Sequence, residues 1–213
     1  MKILFFGDSI TDAGKWRDMQ FDNLASLGMG YVRSIASTLF SGEPQKYTLI
    51  NAGISGDRIV DLYARIKKDV WNHKPDLMSI LVGINDVWHE IESRNGVEIE
   101  RFEKIYRLLI EDTLERIPNL KIILCEPFVL QGDLTVKYWN DFAVLKKYQE
   151  VVKKIAENYN LYFLPLQEKL TAAAEKYGEY YYSGDGVHPN TAGAELIARS
   201  WLELFCSKIE KSQ

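Results

Sequence analysis

Short apolar runs recur along the chain and are separated by longer segments of mixed polarity. Each run is five to seven residues long, which is typical of strands that are buried on both faces of a sheet. The runs are KILFF (2–6), YTLIN (47–51), LMSILV (77–82), KIILCEP (121–127) and LYFLP (161–165). They predict five strands.

The segments between these runs have apolar residues at helical spacing, as Phe102, Ile105 and Leu109 show. The predicted helices cover residues 29–41, 57–73, 98–117, 137–158, 166–177 and 190–210. Strands that alternate with helices form parallel sheets through right-handed crossovers. The pattern therefore predicts an α/β fold, a three-layer α/β/α flavodoxin-like sandwich with a five-stranded parallel sheet ordered 2-1-3-4-5. A long loop is expected over residues 12–28.

Composition narrows the class of protein without naming a function. The 213 residues suit one domain, 1–213, and 46% hydrophobic with 26% charged residues is ordinary for a soluble protein. A net charge of -4 argues against a nucleic-acid partner. No apolar stretch is long enough for a membrane span or a signal peptide, so we expect a cytoplasmic protein without a membrane partner. Cys125 and Cys206 lack metal-site spacing and are expected to be small buried hydrophobic residues.

Glycines and small polar residues follow the first three predicted strands, and a fourth such cluster precedes the last predicted helix. The clusters are Gly7-Asp8-Ser9, Ala52 to Asp57, Gly83 to Asp86 and Asp185 to Pro189. Sites in open parallel sheets lie at the carboxyl ends of the strands. We therefore expect these clusters to converge at one edge of the sheet.

The first cluster, in GDSITDAG, allows several kinds of chemistry. It lacks the glycine-rich phosphate motifs, so nucleotide binding has no support. Asp8, Asp12 and Asp86 could meet around Mg²⁺ as in a metal-dependent phosphoesterase, or Asp8 and Asp12 could cap turns. Ser9 could be a nucleophile, which requires a base within hydrogen-bond reach.

A histidine base is available in DGVHPN. His188 follows Asp185 by three residues, a spacing that lets one carboxylate orient the imidazole toward Ser9. The same stretch also reads as a glycine turn followed by Asn190 as the cap of the last helix, and the stretch alone favours neither reading. Of the other histidines, His73 is placed at a helix end, and His89 lines a pocket or faces solvent.

Acyl transfer also requires hydrogen-bond donors for the developing oxyanion. Gly53 and Asn85 follow the second and third strands, beside the position expected for Ser9. A backbone N–H and a side-chain amide could act as donors there. Ser55 does not fit the serine elbow motif, because Asp57 stands where its last glycine is required, and it is expected to shape its turn.

Taken together, the four clusters resemble the sequence blocks of the SGNH hydrolase superfamily, also called GDSL-type esterases. The matching stretches are GDSIT (7–11), the glycine of NAGISG at 53, GINDVW (83–88) and DGVHP (185–189). The resemblance implies the flavodoxin-like SGNH hydrolase fold and a serine esterase that needs no metal or cofactor. It implies Ser9 as nucleophile, His188 as base and Asp185 as its orienting group. Its oxyanion donors would be the Ser9 and Gly53 amides and the Asn85 side chain.

Further stretches resemble the intracellular acetylxylan esterase-like members of that superfamily. They are GDSITDAG, Leu27 to Val32, GISG, GINDVW and Glu126 to Phe128. This resemblance implies hydrolysis of acetyl esters of small carbohydrates such as xylo-oligosaccharides, and a possible homo-oligomer. Lysophospholipases and thioesterases have the same fold and remain the alternative.

Residues near the four clusters are candidates for substrate contact. We expect Asp8, Trp88, His89 and Val187 to bind the substrate. Other aromatic residues could contribute, and they are Trp16, Phe128, Trp139 and Tyr180 to Tyr182.

Overall fold

The fold is built on one parallel sheet, seen in a computed structural model that describes residues 1–17 and 24–210. Its strands are β1 (Lys2–Gly7), β2 (Thr48–Gly53), β3 (Leu77–Leu81), β4 (Lys121–Cys125) and β5 (Tyr162–Leu164). All neighbouring strands pair in parallel, in the order β2-β1-β3-β4-β5. The predicted sheet and its strand order are confirmed.

Helices follow the strands and cover the sheet. They are α1 (Ser9–Asp12), α2 (Tyr31–Gly42), α3 (Ile59–Asp69), α4 (Ile84–Ser93), α5 (Ile99–Arg116), α6 (Leu145–Asn158), α7 (Gln167–Tyr177) and α8 (Thr191–Leu204). α2 packs on α8, while α3 packs on α5 and α5 on α6. These contacts give the two helical layers of the predicted α/β/α sandwich.

The sequence pattern did not predict helices α1 and α4, and α4 is the longer of the two. It begins inside the polar cluster after β3, where no helix was predicted, and its buried positions include Ile84 and Val87, three residues apart. Three predicted helices are shorter in the structure, because 3₁₀ turns at Trp71–His73, Val136–Tyr138 and Asp141–Val144 and a π-helical turn at Phe205–Ile209 flank them. Residues 18–23 of the predicted loop lie outside the described residues, and a 3₁₀ turn follows at Leu24–Leu27.

The core explains why the strands are almost uniformly apolar. Phe5 and Phe6 are adjacent on β1 and point to opposite faces, yet both are fully buried because helices cover each face. Trp201 of α8 lies against Phe5 and donates its indole N–H to Ser79 Oγ at 3.0 Å. Within the described residues, no helix combines the length and the hydropathy that a bilayer span requires.

The two cysteines differ in burial. Cys125 is buried at the end of β4, as expected. The prediction for Cys206 was wrong, because this residue is exposed. Phe205 and Ile209 occupy the buried positions of the final helical turn, and Cys206 lies on the outer side of that turn.

Two glycines allow α1 to pack directly on the sheet edge. Gly7 pairs with Gly53 at the carboxyl ends of β1 and β2. A Cβ atom at Gly53 would lie 2.3 Å from the backbone nitrogen of Asp12, and one at Gly7 would lie 2.4 Å from the Leu81 carbonyl oxygen. Both distances are shorter than any van der Waals contact, so only glycine fits at these positions.

We expect Gly53→Ala to lower the free energy of unfolding by roughly 1–3 kcal/mol, because its Cβ forces two backbone segments apart. Gly42→Ala is the matched control, since no atom lies within 4 Å of its Cβ position in α2. That change should leave stability unchanged or raise it by up to about 1 kcal/mol. Urea unfolding measures both values, and equal stability of the two variants would contradict the steric argument.

Candidate active site

A chain of two hydrogen bonds joins Ser9, His188 and Asp185. Ser9 Oγ lies 2.8 Å from His188 Nε2, and His188 Nδ1 lies 2.7 Å from Asp185 Oδ2. A carboxylate only accepts, so Nδ1 carries the proton and Nε2 is left to accept from the serine hydroxyl. The structure thus brings together three predicted residues that are up to 179 positions apart in sequence.

Ser9 is placed by the single helical turn α1. Asp8 is the N-cap of this turn, and its Oδ1 accepts the Ile10 N–H at 3.0 Å. Ala13 ends the turn in the left-handed region at φ 44°. The turn therefore starts directly at the end of β1 and presents the Ser9 hydroxyl at the sheet edge.

Asp185 and His188 are held within one tight turn. Asp185 Oδ1 accepts the N–H groups of Val187 and His188 at 2.8 and 2.7 Å and the Ser183 hydroxyl at 3.1 Å. Gly186 has φ +90°, and a Cβ there would lie 2.2 Å from Thr135 Oγ1. The sequence DGVHP therefore fixes both the carboxylate and the start of the imidazole side chain.

The charges of this pair favour proton uptake by the imidazole. Burial alone would raise the pKa of Asp185, but hydrogen bonds from His188 and from the backbone N–H groups bring it well below its usual range. The hydrogen bond to Asp185 in turn raises the pKa of His188 above the ordinary value of 6.5, against the opposing effect of burial. His188 is consequently a stronger base than an isolated histidine.

Gly53 does not offer a free donor to this site. Its N–H donates to Asn51 Oδ1 at 2.9 Å, and the Asn51 amide in turn donates to the carbonyls of Thr11 and Leu27. The expectation that Gly53 contributes an oxyanion donor is therefore wrong for this structure. The steric contact with α1 is what requires glycine at this position.

Gly56 lies in the turn that follows β2. The Asp57 N–H donates to the Ile54 carbonyl at 3.2 Å, and Gly56 has φ +87°, as the third residue of a type II turn requires. The Ile54 N–H donates to the Gly7 carbonyl, so this turn lies beside Asp8 and Ser9. The N–H groups of Gly56 and Ser9 make no hydrogen bond to any described residue.

Asn85 faces the same turn. Its Nδ2 donates one hydrogen to the Asp57 carbonyl at 3.0 Å, which leaves the second amide hydrogen available. The sequence analysis predicted Asn85 but missed Gly56. The signal was present in NAGISGD, where the second glycine occupies the turn position that needs a positive φ.

A small cavity opens beside Ser9 and His188. Its volume is about 240 Å³, and its walls are formed mainly by small residues and by Tyr31. The small wall residues are Ala13, Gly14, Gly30, Ser55 and Ala194. The cavity therefore has room for a small group next to the serine hydroxyl.

Comparison with known proteins decides the family. The model of the GDSL-like lipase/acylhydrolase family matches residues 5–196. The chain belongs to this family. It is a carboxylic ester hydrolase.

Relatives of this GDSL-family esterase include the acetylxylan esterase of Geobacillus stearothermophilus, which is 35% identical over 94% of this chain and 92% of that protein. A crystal structure of that enzyme has a TM-score of 0.84 and covers 95% of this chain and 92% of its own. A GDSL-like protein from Parabacteroides merdae has a TM-score of 0.90 at 35% identity, covering 95% of this chain and 94% of its own.

Three structures of the Geobacillus enzyme carry catalytic mutations, at a serine, an aspartate and a histidine. Those positions have the same separations in sequence as Ser9, Asp185 and His188.

The three aspartates considered for a metal site do not form one ligand set in the esterase. Asp12 Oδ2 accepts from the Ser55 N–H and hydroxyl and from Arg17, whereas Asp86 accepts the Ile59 N–H at the start of α3. Within the described residues, no group of three His, Cys, Asp or Glu side chains could hold a metal ion. The phosphoesterase alternative therefore has no structural support.

The predicted substrate-binding residues differ in accessibility. Asp8 and Val187 are fully buried, so neither can touch a substrate, and the predictions for them were wrong. Asp8 caps α1 instead, and Val187 orients Asp185 through its N–H. Trp88 packs edge-on against the His188 ring, with 6.2 Å between ring centroids. His89 is half-buried, and burial and the nearby Arg58 lower its pKa.

The additional aromatic candidates also divide by burial. Phe128 is fully buried and Tyr182 nearly so, which places them in the core. Trp16, Tyr180 and Tyr181 are exposed. Among all the aromatic candidates, Trp88 has the ring contact with His188.

Two buried carboxyl groups lie behind the esterase site. Burial raises the pKa of Asp86 to about 8 and that of Asp8 to about 7, and Asp8 contributes to the rise at Asp86. Asp8 Oδ2 has no hydrogen-bond partner in the described part of the chain. Near neutral pH both groups are thus partly protonated.

Because folded Asp86 keeps its proton up to about pH 8 and unfolded Asp loses it near 3.8, the folded state binds more protons between these values. The free energy of unfolding should therefore fall as the pH rises through this window. Asp86→Asn keeps an acceptor for the Ile59 N–H and removes this ionisation, so we expect the variant to gain stability relative to wild type from pH 5 to 8.5. Urea unfolding at both pH values tests this, with exposed Asp141→Asn as the control. If the free energy of unfolding of Asp86→Asn changed between the two pH values as much as that of wild type, the raised pKa of Asp86 would be contradicted.

Proposed function

We propose that the protein is a serine esterase that removes O-acetyl groups from small carbohydrates such as xylo-oligosaccharides. The observation that carries this proposal is the hydrogen-bonded chain from Ser9 through His188 to Asp185, which opens onto a cavity of about 240 Å³. The similarity to an acetylxylan esterase over 94% of the chain supports the acetyl group and the sugar.

In the proposed mechanism, Ser9 Oγ attacks the ester carbonyl while His188 Nε2 takes its proton. Asp185 holds the imidazole in the tautomer that leaves Nε2 open, and stabilises the imidazolium that forms. As the bond between the carbonyl carbon and the sugar oxygen breaks, His188 gives the proton to that oxygen, and the sugar leaves with a free hydroxyl. Water, activated by the same histidine, releases acetate from the acyl-serine. The matching separations of the catalytic positions in the Geobacillus enzyme support these roles.

The oxyanion donors that we propose are the N–H groups of Ser9 and Gly56 and the side-chain amide of Asn85. The two N–H groups make no other hydrogen bond within the described residues, and the Asn85 amide has one hydrogen left. Gly56 replaces Gly53 in this set because the Gly53 N–H is engaged by Asn51. With these donors, the chain itself provides nucleophile, base and oxyanion stabilisation.

The choice of substrate in this proposal rests on the cavity beside Ser9 and on the Trp88 side chain. The cavity beside Ser9 is lined mainly by small residues and has room for an acetyl group. Trp88, next to His188, offers an apolar surface on which a sugar ring could pack.

The test compares p-nitrophenyl acetate, butyrate and octanoate with wild type, Ser9→Ala and the control Ser37→Ala, whose serine is exposed on α2. We expect acetate to be hydrolysed fastest by wild type and Ser37→Ala, with Ser9→Ala inactive. Release of acetate from acetylated xylo-oligosaccharides should then follow the same pattern. A preference for octanoate would indicate a lysophospholipase or thioesterase, and turnover that survives in Ser9→Ala would overturn the serine mechanism.

The pH profile tests the roles of His188 and Asp185. Since Asp185 raises the pKa of His188, kcat/KM should rise with pH through a value above 6.5. Asp185→Asn removes that stabilisation, so the acid limb should move to lower pH while kcat falls by about 10⁴-fold. Asp133→Asn, an exposed carboxylate in a neighbouring loop, should change neither quantity. An unchanged acid limb in Asp185→Asn would show that His188 is not the titrating base.

A further inference from the structure

Arg65 of α3 extends beneath the turns that form the site. Its side chain is 14% exposed, and its guanidinium makes four hydrogen bonds. Nη1 donates to the Ala52 carbonyl and to Asp69, both at 2.8 Å, Nη2 donates to the Gly7 carbonyl at 3.0 Å, and Nε donates to Asp57 at 2.6 Å. The guanidinium also lies 4.5 Å from the centre of the Phe6 ring. The group is thus fixed on every side by partners from three segments of the chain.

These acceptors are adjacent in sequence to the proposed reactive groups. Gly7 is two residues before Ser9 and is the last residue of β1. Asp57 directly follows Gly56 and closes its turn. The Gly7 carbonyl accepts from Arg65 and from the Ile54 N–H, so it joins the two turns through a second hydrogen bond.

Asp57 extends this connection to Asn85. Its carboxylate binds Arg65, while its carbonyl accepts the Asn85 side-chain amide. Burial raises the pKa of Asp57, and the charge and hydrogen bond of Arg65 oppose that rise. Each of the three proposed oxyanion donors is therefore within two residues or one hydrogen bond of an Arg65 partner.

We propose that Arg65 is a positioning residue for ester hydrolysis. It sets the distances between the Ser9 turn, the Gly56 turn and Asn85, so that their three N–H groups point toward the position of the oxyanion. This inference rests on the proposed roles of those donors. The effect is geometric, because Asp57 and Asp69 offset the charge of Arg65. Only a planar group with several fixed donors can bind all these acceptors at once, and lysine lacks that shape.

The experiment measures kcat and KM for p-nitrophenyl acetate in wild type, Arg65→Lys and Arg65→Ala. A small displacement of catalytic groups can reduce the rate by about 10²-fold, so we expect kcat to fall by about that factor in both variants, with KM within about threefold of wild type. Asn85→Ala gives the scale for losing one donor outright, about 10²–10³-fold. Arg58→Lys is the matched control, since this arginine is also mostly buried, at 19% exposure, and pairs with Asp61 at the start of α3.

Rescue separates positioning from a general structural role. Free guanidinium, far below its unfolding concentration, should restore part of the kcat of Arg65→Ala, whereas sodium chloride at equal ionic strength should not. A boronic acid that forms a tetrahedral adduct with Ser9 should bind the Arg65 variants more weakly by the same factor as kcat falls. Urea unfolding and circular dichroism establish whether each variant is folded. If Arg65→Ala is unfolded, the test uses Arg65→Lys alone.

The inference is overturned if folded Arg65→Lys keeps kcat within about threefold of wild type. It is also overturned if the rate falls while boronic acid binding is unchanged. Failure of the proposed function looks different, because wild type would then show no Ser9-dependent hydrolysis. Wild-type activity lost in Ser9→Ala but retained in both Arg65 variants would leave the esterase proposal intact and remove only the role of Arg65.

Discussion

The close packing of α1 against the ends of β1 and β2 is the constraint on which the site depends. Gly7 and Gly53 pair at this point, and neither tolerates a side chain. Their absence of Cβ atoms lets a one-turn helix start at Ser9 without an intervening loop. Asn51 and Arg65 then hold the adjoining backbone through side-chain hydrogen bonds. The position of Ser9 is thus determined by backbone packing and hydrogen bonds that do not involve the catalytic side chains.

The pKa values of three aspartates around this site shift in opposite directions. Asp185 accepts two backbone N–H groups, a hydroxyl and an imidazole, and these bonds outweigh its burial and lower its pKa. Asp86 and Asp8 are more deeply buried and accept fewer hydrogen bonds, so burial raises their pKa values. The number of hydrogen bonds, weighed against desolvation, therefore separates the orienting carboxylate from the two groups behind it.

The sequence was informative where one local pattern has one physical meaning. Uniformly apolar runs predicted the strands, their alternation with helices predicted a parallel sheet, and the flavodoxin-like architecture gave the strand order. The spacing of Asp185 and His188 allowed the geometry that is observed. Prediction failed where a residue type serves two purposes. Gly53 was interpreted as a donor although its role is steric, and the polar residues after β3 were not recognised as the start of α4. Burial of Asp8 and Val187 depends on distant elements and has no local signal.

The geometry of Asp185 and His188 is set almost entirely within their own turn. All the groups that hold Asp185 Oδ1 come from residues 183–188, and Oδ2 takes the imidazole of the same segment. The histidine and its partner are therefore assembled from six consecutive residues. Their relation to Ser9 reduces to the placement of one loop, which residues 130–135 support through backbone hydrogen bonds. Loops that do not contact this segment can therefore change in length and composition without disturbing the internal geometry of the pair.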